Sequence, residues 1–134
     1  MALEIAARER EGIQVLDLKG RITAGDEVAT LRAAIEHAAA REAPKLVLNM
    51  ADVDYIDSTG LGALVMAATT FKNAGGAVKL VHLNRRNLEL LVLTKIDTIF
   101  QVFDNETDAV NSFFPGREIK HFDILQFVKQ LKEE

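Results

Sequence analysis

The chain contains no cysteine. That excludes disulfide staples, zinc–thiolate sites and cysteine nucleophiles, and it is compatible with a reducing compartment. No stretch approaches the roughly 20 consecutive apolar residues that a membrane span requires. The opening MALEIAARER mixes acidic and basic residues and lacks an apolar core, so it does not read as a signal peptide. Blocks of like charge are missing too, and neither a basic arm nor an acidic tail is expected. With a net charge of -4, nucleic acid or an anionic membrane is disfavoured as the main partner. The three histidines, His37, His82 and His121, lie far apart with no ligand spacing. No G-x-x-x-x-G-K-[ST] or G-x-G-x-x-G phosphate loop exists, and Gly60-Leu61-Gly62 is too short a fragment to count as one. Together these absences predict a cytoplasmic protein without metal or cofactor.

What remains is a chain of 134 residues, 49% hydrophobic and 27% charged, which suits one domain with a real core and argues against disorder. A short strand near Leu3-Glu4-Ile5 and a turn at Glu11-Gly12 lead into a strand from Ile13 to Leu18, closed by a turn at Lys19-Gly20. Residues 25 to 42 predict a helix, with Val28, Leu31, Ala34, Ile35 and Ala38 at helical spacing and Pro44 as its stop. Lys45 to Met50 is an apolar run that fits a buried strand. A second helix carries Leu61, Leu64, Val65, Ala68 and Phe71 and closes at Asn73-Ala74-Gly75-Gly76. Ala77 to Leu83 returns as a strand, and Asn84 caps a third helix bearing Leu88, Leu91, Val92 and Lys95. A strand from Ile99 to Phe103 and a short helix from Thr107 to Phe114 complete the series.

Alternation of this kind builds parallel βαβ units, and the opening hairpin adds an antiparallel edge. The expected fold class is α/β: a small, mostly parallel mixed sheet of about four to five strands with about four helices. Residues 1–115 form the expected domain, and residues 116–134 a C-terminal helical extension. Over 121–133, Ile124, Leu125, Val128 and Leu131 share one helical face with Phe122 and Phe127 beside it. That face needs cover. Packing on its own domain is the favoured reading, and a homodimer or partner-docking contact is the alternative.

The most informative stretch is Asn49 to Val65, NMADVDYIDSTGLGALV. It leaves a strand, crosses a loop with Asp52, Asp54 and Asp57, and enters a helix at Ser58-Thr59-Gly60-Leu61-Gly62. Ser58 is placed as N-cap, its hydroxyl accepting from an orphan backbone N–H. Leu61 stands three residues on, so no capping box forms. Gly60 and Gly62 in the first turn each cost about 0.5–1 kcal/mol relative to alanine. A surface that another backbone must approach closely would explain them.

This hexad, Asp57 to Gly62, after an apolar strand and before a helix and the Gly75-Gly76 turn, closely resembles the STAS domains of bacterial anti-sigma-factor antagonists. The resemblance runs in order and spacing from about Ile13 to Phe113, with Gly20 after the second strand and Asn-Arg-Arg opening the third helix. It implies a partner switch with no catalytic residues of its own. An anti-sigma factor that is also a serine kinase would phosphorylate Ser58, the first hydroxyl residue after the aspartate, and a serine phosphatase would reset it. Unphosphorylated, the protein would hold that kinase and free a sigma factor. The implied partner-binding residues are Asp57, Ser58, Thr59, Gly60, Leu61 and Gly62, with Thr23 and Asp26. Family members usually carry an aspartate shortly after the glycine that closes the second strand. Here Thr23 stands at that place, and Asp26 is either its substitute or a favourable charge in a helix's first turn.

Two other readings compete. STAS domains also serve as adaptors in transporter-associated or stress-sensing assemblies without a phosphorylated serine. From a different class, Asp52-Val53-Asp54 has the form of the D-x-D of magnesium-dependent phosphatases. Those aspartates should follow the strand directly, and Ile56 stands where Thr or Val is expected. The loop is no EF-hand either, since Ile56 and Ala63 occupy positions that need oxygen ligands. Solvated loop carboxylates are the default reading of this pair.

Overall fold

The computed structural model describes residues 2–120, 125–126 and 129. Its strands are β1 (Glu4–Arg10), β2 (Ile13–Ile22), β3 (Lys45–Ile56), β4 (Ala77–Val81) and β5 (Gln101–Phe103). The helices are α1 (Asp26–Ala39), α2 (Ser58–Asn73), α3 (Arg85–Leu93) and α4 (Glu106–Asn111). The strands lie side by side in chain order; β1 runs antiparallel to β2 and every other neighbouring pair is parallel. The α/β class, the mixed sheet and its antiparallel edge are as the alternation predicts.

Each face of the sheet has its own apolar layer, because side chains alternate along a strand. Leu16 and Leu18 of β2 and Leu46, Leu48 and Met50 of β3 pack with Leu31 and Ile35 of α1 and Leu64 and Phe71 of α2. On the other face Ile13, Val15, Val47, Val81 and Phe103 meet Ala109 and Val110 of α4. Phe113, Phe114 and Ile119 pack against this second layer. The helix expected over 121–133 lies outside the described residues, apart from 125–126 and 129, which are helical and exposed.

Three expectations about local structure need correction. Lys19-Gly20 is no turn: β2 continues to Ile22, with Gly20 inside it at φ 121°. β3 does not end at Met50 but runs on to Ile56, so Asp52 and Asp54 belong to the strand rather than to a loop. The reason is irregular pairing. Asp17 faces Asn49 while Lys19 faces Asp52, and Gly20 faces Val53 while Arg21 faces Tyr55. At each step β3 advances one residue more than β2, which makes two bulges on β3. The bulges turn Val53 and Ile56 into the core and leave Asp52 and Asp54 outside. α1, for its part, stops at Ala39, well short of Pro44.

Gly20 makes the extension of β2 possible. A Cβ there would stand 2.8 Å from the Ala2 carbonyl oxygen, and its φ suits glycine alone. Gly20→Ala should therefore destabilise the domain by about 1–3 kcal/mol, as strain at such positions does. Urea unfolding of the two proteins checks it; an unchanged midpoint would show that the bulge adapts.

Candidate functional site

Where β3 gives way to α2, the chain turns at Asp57. Its backbone is extended (φ -91°, ψ -179°), and its side chain, not that of Ser58, caps the helix. Gly60 N–H donates to Asp57 Oδ1 at 2.7 Å, and Ala24 N–H donates to Asp57 Oδ2 at 2.9 Å. The backbone N–H of Asp57 donates to the Ile22 carbonyl at 3.2 Å. One residue thus joins the end of β2, the loop before α1 and the first turn of α2. The two donors, Ala24 first, hold the Asp57 carboxyl below the ordinary aspartate range because they stabilise its charged form.

Ser58 is consequently the first residue of the helix rather than its cap. It is exposed, as is Thr59, and its hydroxyl makes no hydrogen bond among the described residues. The two glycines near the start of α2 also separate. A Cβ on Gly60 would lie 2.0 Å from the Ile22 carbonyl oxygen, so Gly60 answers to a close approach inside the domain, not to a partner. Gly62 is exposed with nothing within 4 Å of an added Cβ. Leu61 points inward and is buried.

The structure brings the two groups of expected site residues together. Through the Asp57–Ala24 bond, the loop from Thr23 to Asp26 lies against the start of α2. Thr23 is half-buried, its carbonyl accepting from Val28 N–H at 3.1 Å, while Asp26 is exposed in the first turn of α1. Asp52 and Asp54 are elsewhere, along a groove of about 450 Å³ with Glu4, Lys19 and Gly20. Among the described residues, no three His, Asp or Glu side chains converge on a common point to ligate a metal.

Sequence reasoning missed the other wall of the site. A cleft of about 430 Å³ opens beside Ser58, lined by Tyr55, Leu61, Arg86, Leu90 and Leu93. Leu93 is 70% exposed and Tyr55 37%, so the rim is apolar and open to solvent. The Arg86 guanidinium lies 4.8 Å from the centre of the Tyr55 ring. α3 is pinned beside β3 by Asn84 and Asn87, whose Nδ2 atoms each donate to the Val53 carbonyl at 3.1 Å. The available signal was the spacing of Arg86, Leu90 and Leu93, which marks a second face of α3 beside the buried Leu88 and Leu91.

Comparison with known proteins accords with this architecture. The STAS domain family model matches residues 4–109. The anti-sigma-B factor antagonist of Bacillus subtilis is 35% identical over 63 residues, 47% of this chain and 58% of that protein. The aligned stretch therefore spans little more than half of that relative. The crystal structure of an anti-sigma factor antagonist from Mycobacterium paratuberculosis superposes with a TM-score of 0.73 at 22% identity, covering 82% of this chain and 92% of that one. The phosphorylated form of the Bacillus cell fate determinant SpoIIAA gives a TM-score of 0.63 at 16% identity, over 82% and 99% of the two chains. At these identities the superpositions speak for the fold.

The two glycines should respond oppositely to alanine. Gly60→Ala should cost about 1–3 kcal/mol by forcing α2 off β2, whereas Gly62→Ala should add about 0.5–1 kcal/mol of helix stability. Thermal melts of both variants decide it. Asp57→Asn keeps one acceptor oxygen for two donors, so it should melt below wild type at neutral pH. A lowered aspartate pKa gives stability that is complete above the unfolded value, about 4, and lost as pH falls through the folded one. The gap between Asp57→Asn and wild type should accordingly close in acid. A gap independent of pH would show that the carboxylate charge is not what the two donors hold.

Proposed function

The chain belongs to the STAS domain family, and from that premise we propose that it is an anti-sigma-factor antagonist whose partner is exchanged by phosphorylation of Ser58. The observation that carries the reading is the division between Asp57 and Ser58. Because the aspartate caps α2, the serine hydroxyl is exposed and unengaged at the start of that helix. A kinase can reach it without unfolding anything.

In this reading the unmodified face, with Ser58, Thr59, Gly62 and the Thr23–Asp26 loop, binds an anti-sigma factor that is also the serine kinase. Holding it releases a sigma factor, and a serine phosphatase restores the unmodified form. The relatives are named for antagonism of anti-sigma factors, not for a reaction, and binding alone accounts for the work assigned to this chain. Among the described residues no helix is long and apolar enough to cross a membrane, which suits a diffusing partner switch.

Phosphate adds about -1.5 to -2 charges. Beside Asp57, and with Asp26 in the adjoining first turn of α1, it would meet a partner surface shaped for a neutral hydroxyl. Desolvating a dianion to which the partner offers no counter-charge should weaken binding about 100-fold or more. Helix N-termini tolerate negative charge, so the fold itself should not suffer.

Incubation with the host's histidine-kinase-like serine kinases and ATP should place one phosphate on Ser58, located by mass spectrometry. Calorimetry should then show tight binding of the unmodified protein and of Ser58→Ala, and weak binding of the phosphorylated form. Ser58→Ala should melt close to wild type, since it removes no cap. Phosphate on Thr59 or Thr23, or equal affinity of the two forms, would overturn the proposal.

A further inference from the structure

Resting on the reading of Ser58 as the phosphorylated residue, we propose that Arg86 is the internal counter-charge of that phosphate, closing onto it across the cleft that both residues line. Ser58 enters the cleft from the first turn of α2 and Arg86 from the first turn of α3. Of the described residues lining it, Arg86 is the only cation. The position of α3 is set by the paired amides of Asn84 and Asn87 on the Val53 carbonyl, so the base of Arg86 is held beside the end of β3.

The neighbouring cation differs. Arg85 reaches forward along its own helix to Glu89, Nε to Oε1 at 3.4 Å. Arg86 has no carboxylate partner among the described residues, and its guanidinium lies over the Tyr55 ring, three residues before Ser58. A cation stacked on a partly exposed ring is weakly held compared with one forked onto a phosphate dianion. The planar guanidinium matches two phosphate oxygens at once, and its long stem can swing without moving α3. Modification would draw Arg86 off Tyr55 and close the phosphate and guanidinium over Leu61 and Leu90, the apolar part of the cleft. Phosphorylation would then remodel the face from within as well as charge it.

The test places phosphoserine at position 58 of the full chain by genetic-code expansion, in wild type and in Arg86→Gln. Phosphorus NMR titration should give a second phosphate pKa about half a unit lower in wild type than in Arg86→Gln, the size of one cation's pull through solvent. Asp57 and Glu89, which push that pKa upward, are present in both proteins, so the difference isolates Arg86. Thermal melts should agree, the phosphate raising the melting temperature more in wild type than in the variant. Identical titrations in the two proteins would overturn the inference. Because the phosphate is installed without a kinase, this result is separate from whether a kinase modifies Ser58: failure of the enzymatic assay refutes the preceding reading, and failure here refutes only the role of Arg86.

Discussion

The Asp57 carboxylate, with one oxygen on Ala24 N–H and the other on Gly60 N–H, is the contact on which the rest of the functional face depends. It ties the loop that opens α1, directly after β2, to the first turn of α2 more than thirty residues on, while the Asp57 backbone N–H holds the Ile22 carbonyl at the end of β2. For those segments to meet, α2 must start directly against Ile22, and only a residue without a side chain fits at position 60. β2 must also reach Ile22, which requires the bulged pairing at Gly20 and the extra residues that β3 takes up between Asn49 and Tyr55. Backbone irregularity in the sheet is therefore not a defect beside the site. It is how the sheet delivers both strand ends to one carboxylate.

The same irregularity set the limit of what could be read in advance. Where periodicity was clean, the elements were legible: α2 closes at Asn73 and α3 begins after its Asn84 cap, as the helical spacing and cap chemistry indicate. Where bulges shift the pattern, a strand no longer looks like one. Val53 and Ile56 stand three apart, not two, and the intervening Asp54 and Tyr55 read as loop although they lie in β3. The cap was ambiguous for another reason. Aspartate and serine are about equal as N-caps, and the sequence Asp57-Ser58 presents both. The choice falls to aspartate because a second donor, Ala24 N–H, comes from a loop 33 residues away. No local rule contains that donor. Leu90 and Leu93 escaped notice because an amphipathic helix is read for its buried stripe and they lie beside it, while Arg86 was legible only as part of the Asn-Arg-Arg opening of that helix and not as a wall of the cleft.

Separating the two glycines clarifies what a partner could want from this surface. Gly60 serves the fold, since the Ile22 carbonyl occupies the space where its side chain would be. Gly62 serves no contact in the described domain. A glycine in a helix interior without a packing reason lowers stability by roughly 1 kcal/mol relative to alanine. One turn behind it is Ser58 and one turn ahead is Met66, 59% exposed. The three share a face of α2, so Gly62 forms a shallow notch in line with the serine. A partner backbone can come closer to α2 there than beside any other residue of that face.

A residue that holds the fold together is a poor place for a reversible charge. Domains of this size keep about 5–15 kcal/mol of net stability, and loss of a buried contact network can consume much of that. Were Ser58 the cap, phosphorylation would exchange a structural hydrogen bond for a charge, and affinity and stability would change together. With the cap assigned to Asp57, the two quantities come apart. The carboxylate is permanently ionised near neutral pH and satisfied by donors of the domain, while the hydroxyl one residue on is left with nothing to hold. Under the proposed phosphorylation of Ser58, adjacent positions in the chain would carry opposite duties, one fixed and one variable. In that reading the fixed charge also sharpens the variable one: a phosphate beside the Asp57 carboxylate concentrates negative charge at the start of α2, which the helix terminus tolerates and a partner surface fitted to a neutral hydroxyl does not.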